Sequence, residues 1–214
     1  MNNIQKGADS SNNRILQNTT LGDGGKKIKV ETTAKKMLAD VYTPVGIYLR
    51  LRDRFRDTVL LESTDHHAAE NSYSFICINA IGGIEIKEEV IEFKLPNKNV
   101  ERTALKGGEE LKDILWNYMQ RFEVSSEAPK EARFAQGLYG YFTFDAVQAF
   151  ESIRFKKVED QSNQIPLARY RLYQYVIAVN HYRDELLLLE NKISGIESEM
   201  AELESLVNNK DVPV

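Results

Sequence analysis

Tyr73-Ser74-Phe75-Ile76-Cys77-Ile78-Asn79-Ala80 is a mostly apolar run with polar sequence before it and Gly82-Gly83 after it. A short apolar run bounded by turn signals reads as a central strand, covered on both faces. Gly82-Gly83 reads as a turn. Ile84-Glu85-Ile86 and Val90-Ile91-Glu92-Phe93 then pair as a hairpin over Lys87-Glu88-Glu89. A second, longer hairpin lies downstream. Residues 172–180 are strongly apolar, His181-Tyr182-Arg183-Asp184 turns the chain, and residues 185–190 return. Hairpins of this kind make an antiparallel sheet.

Upstream, Val45, Ile47, Leu49 and Leu51 alternate with Gly46, Tyr48, Arg50 and Arg52. Period two predicts a half-buried strand, and residues 58–63 read as another. Residues 28–32 read as a short strand. Thr32 or Thr33 then caps a short helix through Ala34, Met37 and Leu38 to Asp40, ended by Thr43-Pro44. Residues 97–108 read as a polar loop and 124–132 as a polar linker.

Two stripes have helical period. Leu111, Ile114, Leu115, Tyr118, Met119 and Phe122 predict a helix over 109–122. Ile193, Ile196, Met200, Leu203 and Leu206 or Val207 predict another over 192–208. The latter spans about two heptads, too few for a coiled-coil seam. In Gly137-Leu138-Tyr139-Gly140-Tyr141-Phe142-Thr143-Phe144-Asp145, two glycines inside an aromatic strand imply close approach by a neighbour. Asp145 with Gln148 resembles a capping box opening a short helix over 146–151. The sum is an α+β class with largely antiparallel, β-sandwich-like sheets and two long amphipathic helices packed outside. Residues 1–26, rich in Asn, Ser, Thr and Gly, read as a disordered leader or cloning remnant, and 27–214 as the folded domain.

Composition narrows the function. The chain has 214 residues, 42% hydrophobic and 28% charged, with net charge -4. A packed core is supported, and a concentrated basic nucleic-acid face is not. The arginines Arg50, Arg52, Arg54 and Arg56 are interleaved with apolar residues. No stretch approaches the ~20 apolar residues of a membrane helix, and the N-terminus lacks a signal-peptide core. Cys77 stands alone, so no internal disulfide forms; a buried, inert thiol in a reducing cytoplasm is expected.

Catalytic constellations fail one by one. Asp65, His66, His67 and Glu70 share a loop, but adjacent histidines seldom converge on one ion. There is no nucleophile elbow, no Walker loop and no dinucleotide fingerprint. Glu62 and Asp145 are a conceivable carboxylate pair that nothing in the sequence places together. What remains is Leu60-Leu61-Glu62-Ser63 before the polar connection and Asn71-Ser72-Tyr73 after it. A carboxylate and small polar groups at two strand ends can hold the ammonium and carboxylate ends of an amino acid, although Glu and Ser are common at strand ends and the residues alone read as an ordinary strand end.

The runs Thr43-Pro44-Val45-Gly46-Ile47-Tyr48-Leu49-Arg50-Leu51-Arg52-Asp53, Leu60-Leu61-Glu62-Ser63 and Ser72-Tyr73-Ser74-Phe75-Ile76 resemble the N-terminal region of anthranilate synthase component I, of the chorismate-utilising enzymes. So does 137–147, with Glu151 after it. The resemblance covers about residues 30 to 207. It implies an enzyme that converts chorismate to anthranilate with Mg2+ and with ammonia from a glutamine amidotransferase subunit, component II. It implies L-tryptophan as a feedback inhibitor, with Leu61, Glu62 and Ser63 in its pocket and Ser72 and Tyr73 beside them. Catalytic and magnesium-binding residues belong to a chorismate-binding region outside this sequence, so no catalytic residue, metal ligand or cofactor is assigned here and the chain alone is expected to be inactive. Ser72 stands where many relatives have a basic residue that would pair with an effector carboxylate. The same region of aminodeoxychorismate synthase component I and a stand-alone amino-acid-binding module are the alternatives.

Overall fold

The computed structural model describes residues 26–63, 72–87, 90–96, 100–105, 111–125, 128–153, 155 and 165–209. The expected leader, apart from Lys26, lies outside them. The strands are β1 (Ile28–Leu38), β2 (Val59–Leu61), β3 (Tyr73–Lys87), β4 (Val90–Lys94), β5 (Val100–Ala104), β6 (Phe122–Val124), β7 (Tyr139–Phe142), β8 (Ala168–Asn180) and β9 (Glu185–Lys192). The helices are α1 (Pro44–Leu51), α2 (Leu111–Met119) and α3 (Met200–Asn208), with 3-10 turns at Lys130–Phe134 and Phe144–Ala149. The class is α+β, and every strand pair is antiparallel except β1 with β6.

The sheet is built on one long pair. β3 and β8 run together from Tyr73 opposite Asn180 to Ile86 opposite Ala168. Shorter strands share their outer edges. β2 and β4 follow one another along β3, and β9 and β7 follow one another along β8. The path is β5-β4-β3-β8-β9-β1-β6, so the nine strands make one hydrogen-bonded sheet.

Both faces of this central pair are buried, which is why the sequence reads as apolar runs rather than alternation. Ile76, Ile78, Tyr175, Ile177, Val179, Leu186 and Leu188 form one core with Ile47 and Leu51 of α1 and Leu203 and Val207 of α3. Cys77, Val176, Ala178, Leu187 and Leu189 form the other, under Phe134 and Ala135. Each fully buried aliphatic side chain contributes about 1.5–3 kcal/mol. α2 covers the far half of β3 and β4, with Leu111 and Tyr118 against Ile84, Ile86, Ile91 and Phe93.

Several local expectations are corrected. The run expected as a strand from Val45 lies in α1, Pro44–Leu51, with Arg52 as its C-cap. Thr43 is the N-cap, its hydroxyl accepting the Gly46 N–H at 3.0 Å, and Pro44 opens the first turn. A cap and a first-turn proline start a helix, and the buried residues Pro44, Ile47 and Leu51 fall at helical spacing. The helix expected near Ala34–Asp40 is the second half of β1, because β9 offers a complete ladder from Glu31–Lys192 to Leu38–Glu185. Gly82-Gly83 is not a turn: β3 passes through it with a register shift between Ala80 and Gly82. A Cβ on Gly83 would lie 2.3 Å from the Tyr170 carbonyl oxygen, so β3 and β8 approach there as only glycine permits.

The region read as a polar loop contains β5, whose residues are all exposed; the backbone ladder with β4 and the Arg102–Glu92 and Glu101–Arg121 ion pairs hold it. The 124–132 linker contains the end of β6 and the start of a 3-10 turn. The two predicted helices are shorter than their stripes, nine residues each. Ile193 belongs instead to a small core with Val30, Ile81 and Leu172. Thr143, not Asp145, occupies the cap position of the last 3-10 turn.

Candidate functional site

Three chain segments meet at one end of the β3–β8 pair. β2 runs out at Leu61, opposite Phe75. β3 begins at Tyr73, opposite Asn180, where β8 stops. The turn to β9 starts at His181. Asn180 is buried, and its side-chain oxygen accepts the Tyr182 and Arg183 N–H groups at 2.9 and 3.0 Å. That Asx-type arrangement fixes the turn.

A hydrogen-bonded chain links the segments. The Ser63 N–H donates to Ser74 Oγ at 3.2 Å. Ser74 is fully buried, and its Oγ lies 2.7 Å from His181 Nε2. The His181 N–H donates to the Ser72 carbonyl at 3.0 Å. The end of β2, the start of β3 and the β8–β9 turn are thus held as one unit.

The residues singled out from the sequence are divided by this geometry. Ser63 and Ser72 are joined through Ser74 and His181. Leu61 is partly exposed and lies opposite Phe75, on the other side of the strand from Ser74. Tyr73 shares that side. Its ring stacks with Phe75 at 6.1 Å between centroids and meets Phe134 at 4.8 Å. Glu62 is exposed at the rim. Sequence reasoning missed Ser74 and His181 as partners. Ser74 sits in the polar opening of β3 and was visible there. His181 is 107 positions away, and no local pattern ties a turn histidine to a distant strand end.

Other candidates separate. Asp145 follows β7, which pairs with the 168–171 end of β8, whereas Glu62 follows β2 near the 178–181 end. At ~3.3 Å per residue these carboxylates are ~30 Å apart, so they form no pair. Asp65, His66, His67 and Glu70 lie outside the described residues. Among the described residues no group of three His, Cys, Asp or Glu could hold a metal ion, so they do not fit a magnesium site. Cys77 is buried, and desolvation pushes its thiol up to about 12. No helix among the described residues is long and apolar enough to cross a membrane.

No family model matches the chain. Anthranilate synthase component 1 of Lactococcus lactis subsp. lactis is 24% identical over 172 residues, 77% of this chain and 33% of that protein. Those of Mycobacterium tuberculosis and Bacillus caldotenax are each 26% identical, over 78% and 80% of this chain and 31% and 32% of theirs. The crystal structure of anthranilate synthase component I from Streptococcus pneumoniae aligns with a TM-score of 0.41 at 20% identity, covering 81% of this chain and 35% of that one. The chain therefore spans about a third of the length of the curated relatives it matches. Over most of its own length it resembles anthranilate synthase component 1, as the strand-end motifs led one to expect.

Proposed function

We propose that this chain is the tryptophan-sensing regulatory portion of an anthranilate synthase component I, in the cytoplasm. The activity it serves converts chorismate and ammonia to anthranilate. In this reading chorismate binding, magnesium and the contact with a glutamine amidotransferase subunit belong to protein outside the described residues, and the chain alone is catalytically silent. The observation that carries the reading is the similarity to anthranilate synthase component 1 over 77% of the chain. The meeting of Leu61, Glu62, Ser63 and Ser72 at one sheet end supports it.

The chemistry of the site suits an amino acid. The exposed Glu62 carboxylate is free to face an ammonium group. An exposed ion pair is worth at most about 1 kcal/mol, so selectivity must come from fixed hydrogen bonds and ring contact. The Ser63–Ser74–His181 chain supplies rigidity on one side of the strand end, and Leu61 and Tyr73 present apolar surface on the other.

Titration calorimetry with L-tryptophan, against L-phenylalanine as control, tests the sensing role. Saturable heat with tryptophan alone is expected. No tryptophan binding by the protein expressed from its complete reading frame overturns it. For catalysis, this chain is mixed with chorismate, ammonia and Mg2+; anthranilate fluorescence should stay at the blank, and appreciable product rejects the division of labour.

A further inference from the structure

We infer that His181 is a specificity residue of this site, reading the carboxylate of a bound α-amino acid. The inference rests on the amino-acid-sensing reading above and adds to it the group that answers the ligand's negative end. An α-amino acid presents an ammonium and a carboxylate a few ångströms apart. Glu62 can answer the first but repels the second. Among the described residues, His181 is joined to Ser63 through a single hydroxyl, and its ring can offer an N–H to a carboxylate.

The ring is held in a way that leaves one nitrogen for a ligand. Nε2 is engaged by the buried Ser74 Oγ at 2.7 Å, and the backbone N–H is fixed on Ser72. Nδ1 makes no hydrogen bond among the described residues, and the residue is exposed. Ser74 Oγ already accepts the Ser63 N–H, and its own proton is free to donate to Nε2. A neutral imidazole that accepts at Nε2 must carry its proton on Nδ1. An imidazolium carries one there as well. In both states Nδ1–H is a donor, and a carboxylate placed against it stabilises those states over the remaining tautomer. Ser74 thus positions the ring, and His181 makes the contact.

The test compares L-tryptophan with tryptamine, which lacks the carboxylate, by calorimetry on the protein expressed from its complete reading frame. His181→Gln is the informative variant, because its amide can keep the Ser74 hydrogen bond while no donor remains at the Nδ1 position. Wild type should prefer tryptophan about tenfold or more, the scale of one charge-assisted hydrogen bond. H181Q should lose that preference by weakening tryptophan and leaving tryptamine unchanged. His181→Asn, which places an amide near Nδ1, should recover part of it. If H181Q fails to fold, the ring nitrogens of wild type are followed by 15N NMR, and tryptophan but not tryptamine should shift the Nδ1 signal.

A preference retained in H181Q, or an equal loss for both ligands, assigns the histidine a purely structural role and overturns the inference. Equal binding of both ligands by wild type overturns it while leaving an amine-binding site intact. No binding of tryptophan by wild type removes the sensing reading and this inference together.

Discussion

At the scale of single residues, two buried groups have consequences that can be measured. Cys77 lies in the middle of β3 and is fully buried, so its thiol is inaccessible as well as poorly ionised. A thiolate is the reactive form. Ellman's reagent should therefore label Cys77 only as fast as the protein unfolds, and rapid labelling under native conditions would contradict its placement. Glu85 is the opposite case. Burial alone would raise its carboxyl, but hydrogen bonds from Lys87, Arg169 and Arg171 outweigh it and hold the group at about 2. The folded value lies below the ordinary ~4.3. Its stabilising effect is therefore complete above about pH 5 and is lost progressively as pH falls toward 2. The contribution is roughly 2 kcal/mol, moderated because the Lys87 and Arg169 side chains are 56% and 42% exposed. Urea unfolding of Glu85→Gln should show that deficit near neutral pH and converge with wild type near ~pH 2.

At the scale of elements, the charged residues form a row across the sheet. Arg102 of β5 lies opposite Glu92 of β4, Glu92 opposite Glu85 of β3, and Glu85 opposite Arg169 of β8. Each flanking arginine bonds the carboxylate beside it, at 2.9 and 2.8 Å, which offsets the like charges in the centre. β7 adds to this same end of β8 under a severe steric condition. A Cβ on Gly140 would lie 1.8 Å from the Arg169 carbonyl oxygen, a backbone atom that cannot move aside cheaply. Gly140→Ala should cost about 3 kcal/mol or detach β7. Gly137, read from the sequence as an equally close approach, has open space around its Cβ position; Gly137→Ala should shift stability by no more than about 1 kcal/mol. Thermal unfolding of the two variants distinguishes them directly. α1 depends on its cap in the same local way. Thr43→Ala should lower stability by about 1 kcal/mol, measured by denaturant titration.

At the scale of the whole molecule, the side carrying β7 and the following 3-10 turn is conspicuously apolar. Phe144 is 80% exposed and Phe150 50%. Phe144 stacks on Phe155 at 5.4 Å, and Phe142 meets Phe150 at 5.5 Å. Exposed aromatic surface of this kind binds apolar dyes and promotes association. The native protein should enhance anilinonaphthalene sulfonate fluorescence, and the double variant Phe144→Ser with Phe150→Ser should remove about half of it or more without lowering the unfolding midpoint. Dye binding unchanged by the double variant would place the accessible apolar surface elsewhere.

The α+β class, the apolar hairpin 172–190, the strand at Tyr73 and the buried cysteine are all legible in the sequence. They rest on local chemistry: runs of apolar side chains, turn residues, and which groups tolerate burial. Where two local patterns coincided, as in Val45–Arg52, alternation and helical spacing both fitted. The Thr43 cap, Pro44 in the first turn and the burial of Ile47 and Leu51 at helical spacing favour the helix. Where no side-chain pattern existed, as in exposed β5, backbone pairing with β4 made a strand that no periodicity announces. β1 shows tertiary context overriding local preference, since the free edge of β9 extends it through residues that alone suggest a helix. The candidate site divides along the same line. Its polar residues can be picked out along the chain, but Ser74 and His181 become partners only because β3 and β8 run antiparallel to the same end. Register between strands 107 positions apart is fixed by packing both faces of the sheet, and that information is held by no single stretch of the chain.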